Sequence, residues 1–226
     1  MKRFLVPFAL FALVVSVHGQ AYVNFINRTL PSPGTGQRLV VAPVYGVNPL
    51  NPTGRLSGNA TTNGGSTDYT GVPLLFGPGF TASLWAAPVP QGLQPQVVGP
   101  PAFELLGTTT FRTVAVTGGF WSSTNASLVV PFVNQADQPV LFQVRVWDNA
   151  GGTLPTWASA LASGNTAVGY SDVITVTTRF DPSFPFAPVD LIGLQSFNLS
   201  VVPEPSLLAF GLLTSVLGAV LWRSRK

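Results

Sequence analysis

Seven carboxylates lie between residues 22 and 202: Glu104 and the aspartates Asp68, Asp137, Asp148, Asp172, Asp181 and Asp190. Two carboxylates at a fixed separation are all that glycoside hydrolysis requires, so a carboxylate-dependent glycan hydrolase is one chemistry open to this chain. Each of these acids, however, stands in or beside a turn with Pro, Gly, Asn or Ser nearby, where aspartate commonly caps the backbone. Capping is the favoured reading, and no residue is assigned as catalytic. The same stretch holds no His, Lys or Cys, because the only histidine is His18 and the only lysines are Lys2 and Lys226. Triads, Cys-His pairs and Schiff-base lysines are thereby excluded. Zinc and copper sites built on His or Cys go with them.

Two other resources remain. Asp148, Asn149 and the carbonyls of Ala150–Gly152 offer oxygen ligands to calcium, with Asp172 from a neighbouring strand end. They lack the spaced acid series of an EF-hand, so an ordinary Asx turn is preferred and no metal or cofactor is expected. The second resource is aromatic. Trp85, Trp121, Trp147 and Trp157 lie in this stretch, and Trp147 alternates onto one strand face with Gln143 and Arg145. Sugar faces stack on aromatic rings while hydroxyls take hydrogen bonds from polar neighbours. Trp121, Arg145 and Trp147 are therefore the candidate glycan contacts. Trp121 follows Gly118-Gly119-Phe120 and reads as the tip of an exposed loop. The competing reading of Trp147 is packing, over a buried strand or against a helix near Trp157.

Positioning these residues falls to strands. Apolar alternation recurs at 22–27, 38–45, 80–86, 110–117, 126–133, 140–147, 172–180 and 195–202, with turn residues between. The clearest case is Val140, Phe142, Val144 and Val146 on one face against Leu141, Gln143, Arg145 and Trp147 on the other. About eight strands are a load that two packed sheets carry. The expectation is all-β: a single β-sandwich of jelly-roll or Ig-like size over residues 22–200. One helix is expected over 153–163, with Thr153 as N-cap and Gly164 as stop. Residues 46–68 lack apolar periodicity and read as a long exposed loop.

The sequence pI of about 9.7 suggests an anionic partner until the charges are located. Residues 22–202 hold six arginines and seven acids, a net charge of −1. The basic charge belongs to the ends, and nucleic-acid binding loses its electrostatic basis.

At the N-terminus, Lys2 and Arg3 precede an apolar run to Val17, followed by Gly19, Gln20 and Ala21. This is the pattern of a secretory signal peptide over residues 1–21, with cleavage after Ala21 and a nearly equal site after Gly19. At the other end Pro203, Glu204 and Pro205 lead into an uncharged stretch, 207–222, closed by Arg223, Arg225 and Lys226. At ~1.5 Å per residue the stretch spans roughly 25 Å, workable as a transmembrane helix whose basic end stays cytoplasmic. Residues 201–226 resemble the PEP-CTERM sorting signal of Gram-negative bacteria in all three parts and their order. The resemblance implies an exosortase substrate, cut near Pro203-Glu204-Pro205 by a membrane-embedded transpeptidase after export by the translocon and signal peptidase. It implies passage through an inner-membrane anchored stage to the cell surface or exopolysaccharide matrix. The reading overall is a non-enzymatic surface or matrix protein, with a carbohydrate-binding module for exopolysaccharide as the alternative.

Overall fold

The computed structural model describes residues 20–29, 31, 34, 36, 38–90, 102–122, 127–135, 137–180 and 188–202. The expected signal run, Pro203-Glu204-Pro205, the apolar stretch and the basic cluster Arg223, Arg225 and Lys226 lie outside the described residues. Among those described, no helix is long and apolar enough to cross a membrane.

The chain forms ten strands and one short α-helix among the described residues. They are β1 (Ala21–Asn24), β2 (Val44–Val47), β3 (Phe80–Pro88), β4 (Glu104–Thr110), β5 (Ser127–Val130) and β6 (Gln138–Asp148), then α1 (Trp157–Ser163), β7 (Ala167–Tyr170), β8 (Ile174–Thr178), β9 (Val189–Asp190) and β10 (Phe197–Val201). Three of them form a small sheet in the order β5-β1-β9. The larger sheet runs β2-β10-β7-β6-β3-β4, with β8 also paired to β6. The protein is thus mostly β, in two sheets.

Strand β6 organises the larger sheet. One edge pairs with β3 from Phe80↔Asp148 to Pro88↔Val140, and the other is shared between β7 at Arg145–Trp147 and β8 at Gln138–Phe142. Ser171 carries the ladder across the gap between these partners. Its N–H donates to the Val144 carbonyl (2.9 Å) and its hydroxyl accepts from the Val144 N–H (3.0 Å). On the inner face Val140, Phe142, Val144 and Val146 meet Ala82, Leu84 and Ala86 of β3 in one core, which Ala21, Val23 and Val130 join from the small sheet and Phe25 from just beyond β1. The chain has no cysteine, so this burial, at ~1.5–3 kcal/mol per large side chain, must stabilise it without covalent help.

Close backbone approach fixes one glycine. A Cβ on Gly169 would stand 2.6 Å from the carbonyl oxygen of Asn198, so β7 and β10 reach their pairing only with glycine there. Asn27 is the corresponding polar fixture. Buried, it donates through Nδ2 to the carbonyls of Ala42 and Gly119 (both 2.8 Å) and accepts through Oδ1 from the Trp121 N–H (3.3 Å).

Several expectations need correction. The run at 110–117 continues as an isolated Phe111↔Trp121 bridge and a 3-10 turn at Ala115–Thr117, while the strand itself lies earlier, at β4. The helix starts at Trp157, capped by Thr156 and Ser159 in a reciprocal box, not at Thr153. Pro155 explains this, since it steers Leu154 out of the helical region. Residues 46–68 are not a free loop. The N–H groups of Gly58, Asn198 and Val201 donate to the carbonyls of Ser196, Leu56 and Pro52, and Tyr45, Ala60, Tyr69 and Val72 form a small core of their own. At the two ends of the described body, Ala21 is fully buried and pairs with Val130, and Val201 ends β10.

Candidate functional site

Of the three candidate glycan contacts, Trp121 and Trp147 are only 1% exposed. Trp121 stands in the core between Phe25 (ring centroids 5.0 Å apart) and Phe111 (6.1 Å), with its indole N–H given to the Phe25 carbonyl (2.9 Å). The glycines before it form a loop, as the sequence suggests, but the loop folds over the end of the core. Trp147 lies under α1, packed with Ala160 and Val168, its ring edge-on to Trp157 at 6.2 Å and its indole N–H donated to the Leu154 carbonyl (2.8 Å). Both rings are sealed, so neither presents a face to a sugar. The packing reading of Trp147 is the one the structure contains.

Arg145 is different. It alternates outward from the core, two residues before Trp147, and is half-buried. Its guanidinium carbon sits 4.2 Å from the Trp85 ring centroid, 5.7 Å from Phe103 and 5.8 Å from Trp157. Gln143 Oε1 accepts from Arg145 Nε (2.9 Å), which fixes the plane of the guanidinium. Trp85 is fixed in turn, because its indole N–H donates to Ser83 Oγ (2.8 Å), and that hydroxyl donates to the Arg145 carbonyl (3.0 Å). Burial among these rings holds the Arg145 pKa below its ordinary value, though it remains a cation. Register places Trp85 opposite Gln143 and Tyr170 opposite Arg145.

Beside this cluster, Tyr170 is 42% exposed and Arg55 lies over its ring at 4.4 Å. Arg55 Nη2 donates to Asp172 Oδ1 (2.6 Å), the one ion pair among the described residues, and Ser57 Oγ donates to Asp172 Oδ2. Those hydrogen bonds, Ser57 first and then Arg55, pull the Asp172 carboxyl below its usual range.

The calcium candidates are engaged inside a turn. Asp148 Oδ1 accepts from the Ala150 N–H (2.8 Å), and Asn149 donates to the Pro78 carbonyl and Thr81 Oγ1 while accepting from the Gly152 N–H. Asp172, the proposed third ligand, is held instead by Arg55 and Ser57. Two further acids also have partners: Asp68 accepts from the Thr70 N–H, and Asp190 from Asn24 Nδ2.

The residues that the sequence reading missed are Trp85, Phe103 and Trp157. The alternation of β3 carries the missing signal, since Ser83 and Trp85 fall opposite the inward Ala82, Leu84 and Ala86. Compared with known protein families, curated proteins and solved structures, the chain has no match.

Two outcomes follow. Trp121→Ala and Trp147→Ala each lose ~3–5 kcal/mol in urea unfolding at pH 7, whereas Trp85→Ala, at a half-buried ring, loses less than about half of that. Asp172, with its folded pKa depressed below the unfolded value of about 3.9, stabilises the fold at pH 5 and above and loses that contribution as pH falls through its folded pKa. Asp172→Asn should therefore lower the calorimetric Tm at pH 7 and make little difference near pH 2.

Proposed function

We propose that this chain is a non-enzymatic protein exported to the cell surface or extracellular matrix of a Gram-negative bacterium, its folded part a single β-sandwich sorted through a PEP-CTERM type signal. The observation that carries this is the junction at Val202. There the N–H donates to the Thr166 carbonyl (3.2 Å), the carbonyl accepts from the Asn165 N–H (2.9 Å), and the side chain packs on the Trp147 cluster. The next residue is Pro203. The last fastened residue is thus followed directly by Pro203, which supports a cut at Pro203-Glu204-Pro205 that leaves the folded part intact. An exosortase-type transpeptidase is the partner this implies, after the translocon and signal peptidase.

The chemistry of the body supports the same reading. Asp68, Asp148, Asp172 and Asp190 each accept hydrogen bonds from backbone or side-chain donors, as structural carboxylates do. At the N-terminus, Ala21 in β1 favours signal cleavage after Gly19, because cleavage after Ala21 removes the Ala21↔Val130 pair.

N-terminal sequencing of the exported form should read Gln20 first; Tyr22 first would contradict that cleavage site. Deletion of residues 203–226 in a Gram-negative host carrying an exosortase should deplete the protein from the cell surface and the medium and leave it in the periplasm. An unchanged distribution between cells and medium would sink the sorting proposal.

A further inference from the structure

We infer that the outer face of β6 around Arg145 binds a carboxylate-bearing sugar ring, as part of an anionic polysaccharide. The inference does not depend on the sorting route, since it concerns the folded body alone. Arg145 is the centre of the argument. A guanidinium has five N–H donors in a planar fork, and Gln143 takes the one on Nε. The ion pair between Arg55 and Asp172 is the one formed among the described residues, so the Arg145 charge has no carboxylate opposite it there. That fork pairs with a carboxylate through two parallel hydrogen bonds.

The surroundings choose the kind of carboxylate. Trp85, Phe103 and Trp157 gather around the guanidinium, and Tyr170 continues the aromatic surface outward. Each of these rings is partly open to solvent, unlike Trp121 and Trp147. An acidic peptide needs the cation but gains little from the rings. A neutral sugar gains from the rings but leaves the cation unanswered. A sugar carrying a carboxylate answers both, stacking its apolar face on an aromatic while its acid meets Arg145. Preorganisation favours the event, because the aromatics and Gln143 already hold the fork, and little side-chain entropy is lost on binding. The partial desolvation that lowers the Arg145 pKa also strengthens an ion pair formed there.

The test uses the full chain in detergent and three probes of equal length: trigalacturonic acid, neutral galactotriose and triglutamate. Calorimetry should show trigalacturonic acid binding at least tenfold more tightly than either of the others. Equal affinity for the two sugars, equal affinity for triglutamate, or no binding of trigalacturonic acid overturns the inference. Arg145→Gln should bring the acidic sugar down to the affinity of the neutral one, and Trp85→Ala should weaken both sugars by similar factors. An Arg145→Gln protein that melts normally and still prefers the acidic sugar also overturns it. The three-probe comparison on the unsubstituted chain decides the question even where a variant does not fold.

Discussion

Strand β6 must satisfy two surfaces at once, and the rest of the structure follows from that. Its inner face is a run of branched and aromatic side chains that only a second layer can cover, and the small sheet around β1 supplies it. Its outer face mixes Gln143 and Arg145 with Trp147, so one end needs a cover and the other tolerates water. Helix α1 seals the Trp147 end and reaches Arg145 only through Trp157. Its seven residues are too few for stability by propensity, so it depends on the tertiary packing of Trp157 and Ala160 onto that strand.

Partial covering has a chemical consequence. Trp157, the first residue of the helix, turns its ring toward Arg145, and Trp85 from the neighbouring strand meets the guanidinium as well. A cation on a sheet surface usually finds an acid or open water. Here it finds aromatic rings, in a body whose net charge between residues 22 and 202 is −1 and where Asp68, Asp148, Asp172 and Asp190 accept hydrogen bonds from other partners. Folding thereby fixes a charged group in a definite plane without neutralising it.

Much of this was legible in the residues. The alternation of 140–147 specifies β6 and both of its faces, and the Asp148-Asn149 turn appears where its composition places it. Less legible were features that depend on partners distant in sequence. Gly107 and the threonines of β4 show little periodicity, since that strand is held by pairing with β3 rather than by its own apolar face. Trp121 looked exposed because its flanking glycines signal a loop, but Asn27 and Phe25, more than ninety residues earlier, draw it inward. The irregular segment at 46–68 is fastened to β10 by backbone bonds that carry no composition signal. Spacing along one strand also could not separate Arg145 from Trp147, because what seals Trp147 is Ala160 and Val168, which come later in the chain.

The central claim is that the domain meets its surroundings through the outer face of β6 and keeps its other tryptophans for packing. Two-dimensional NMR of the indole N–H groups tests it most directly, recorded on the full chain before and after addition of trigalacturonic acid. The expected result is movement of the Trp85 and Trp157 signals together with the Arg145 Nε–H, while Trp121 and Trp147 stay in place. Movement confined to Trp121 or Trp147, or none at Trp85 and Trp157, would contradict it.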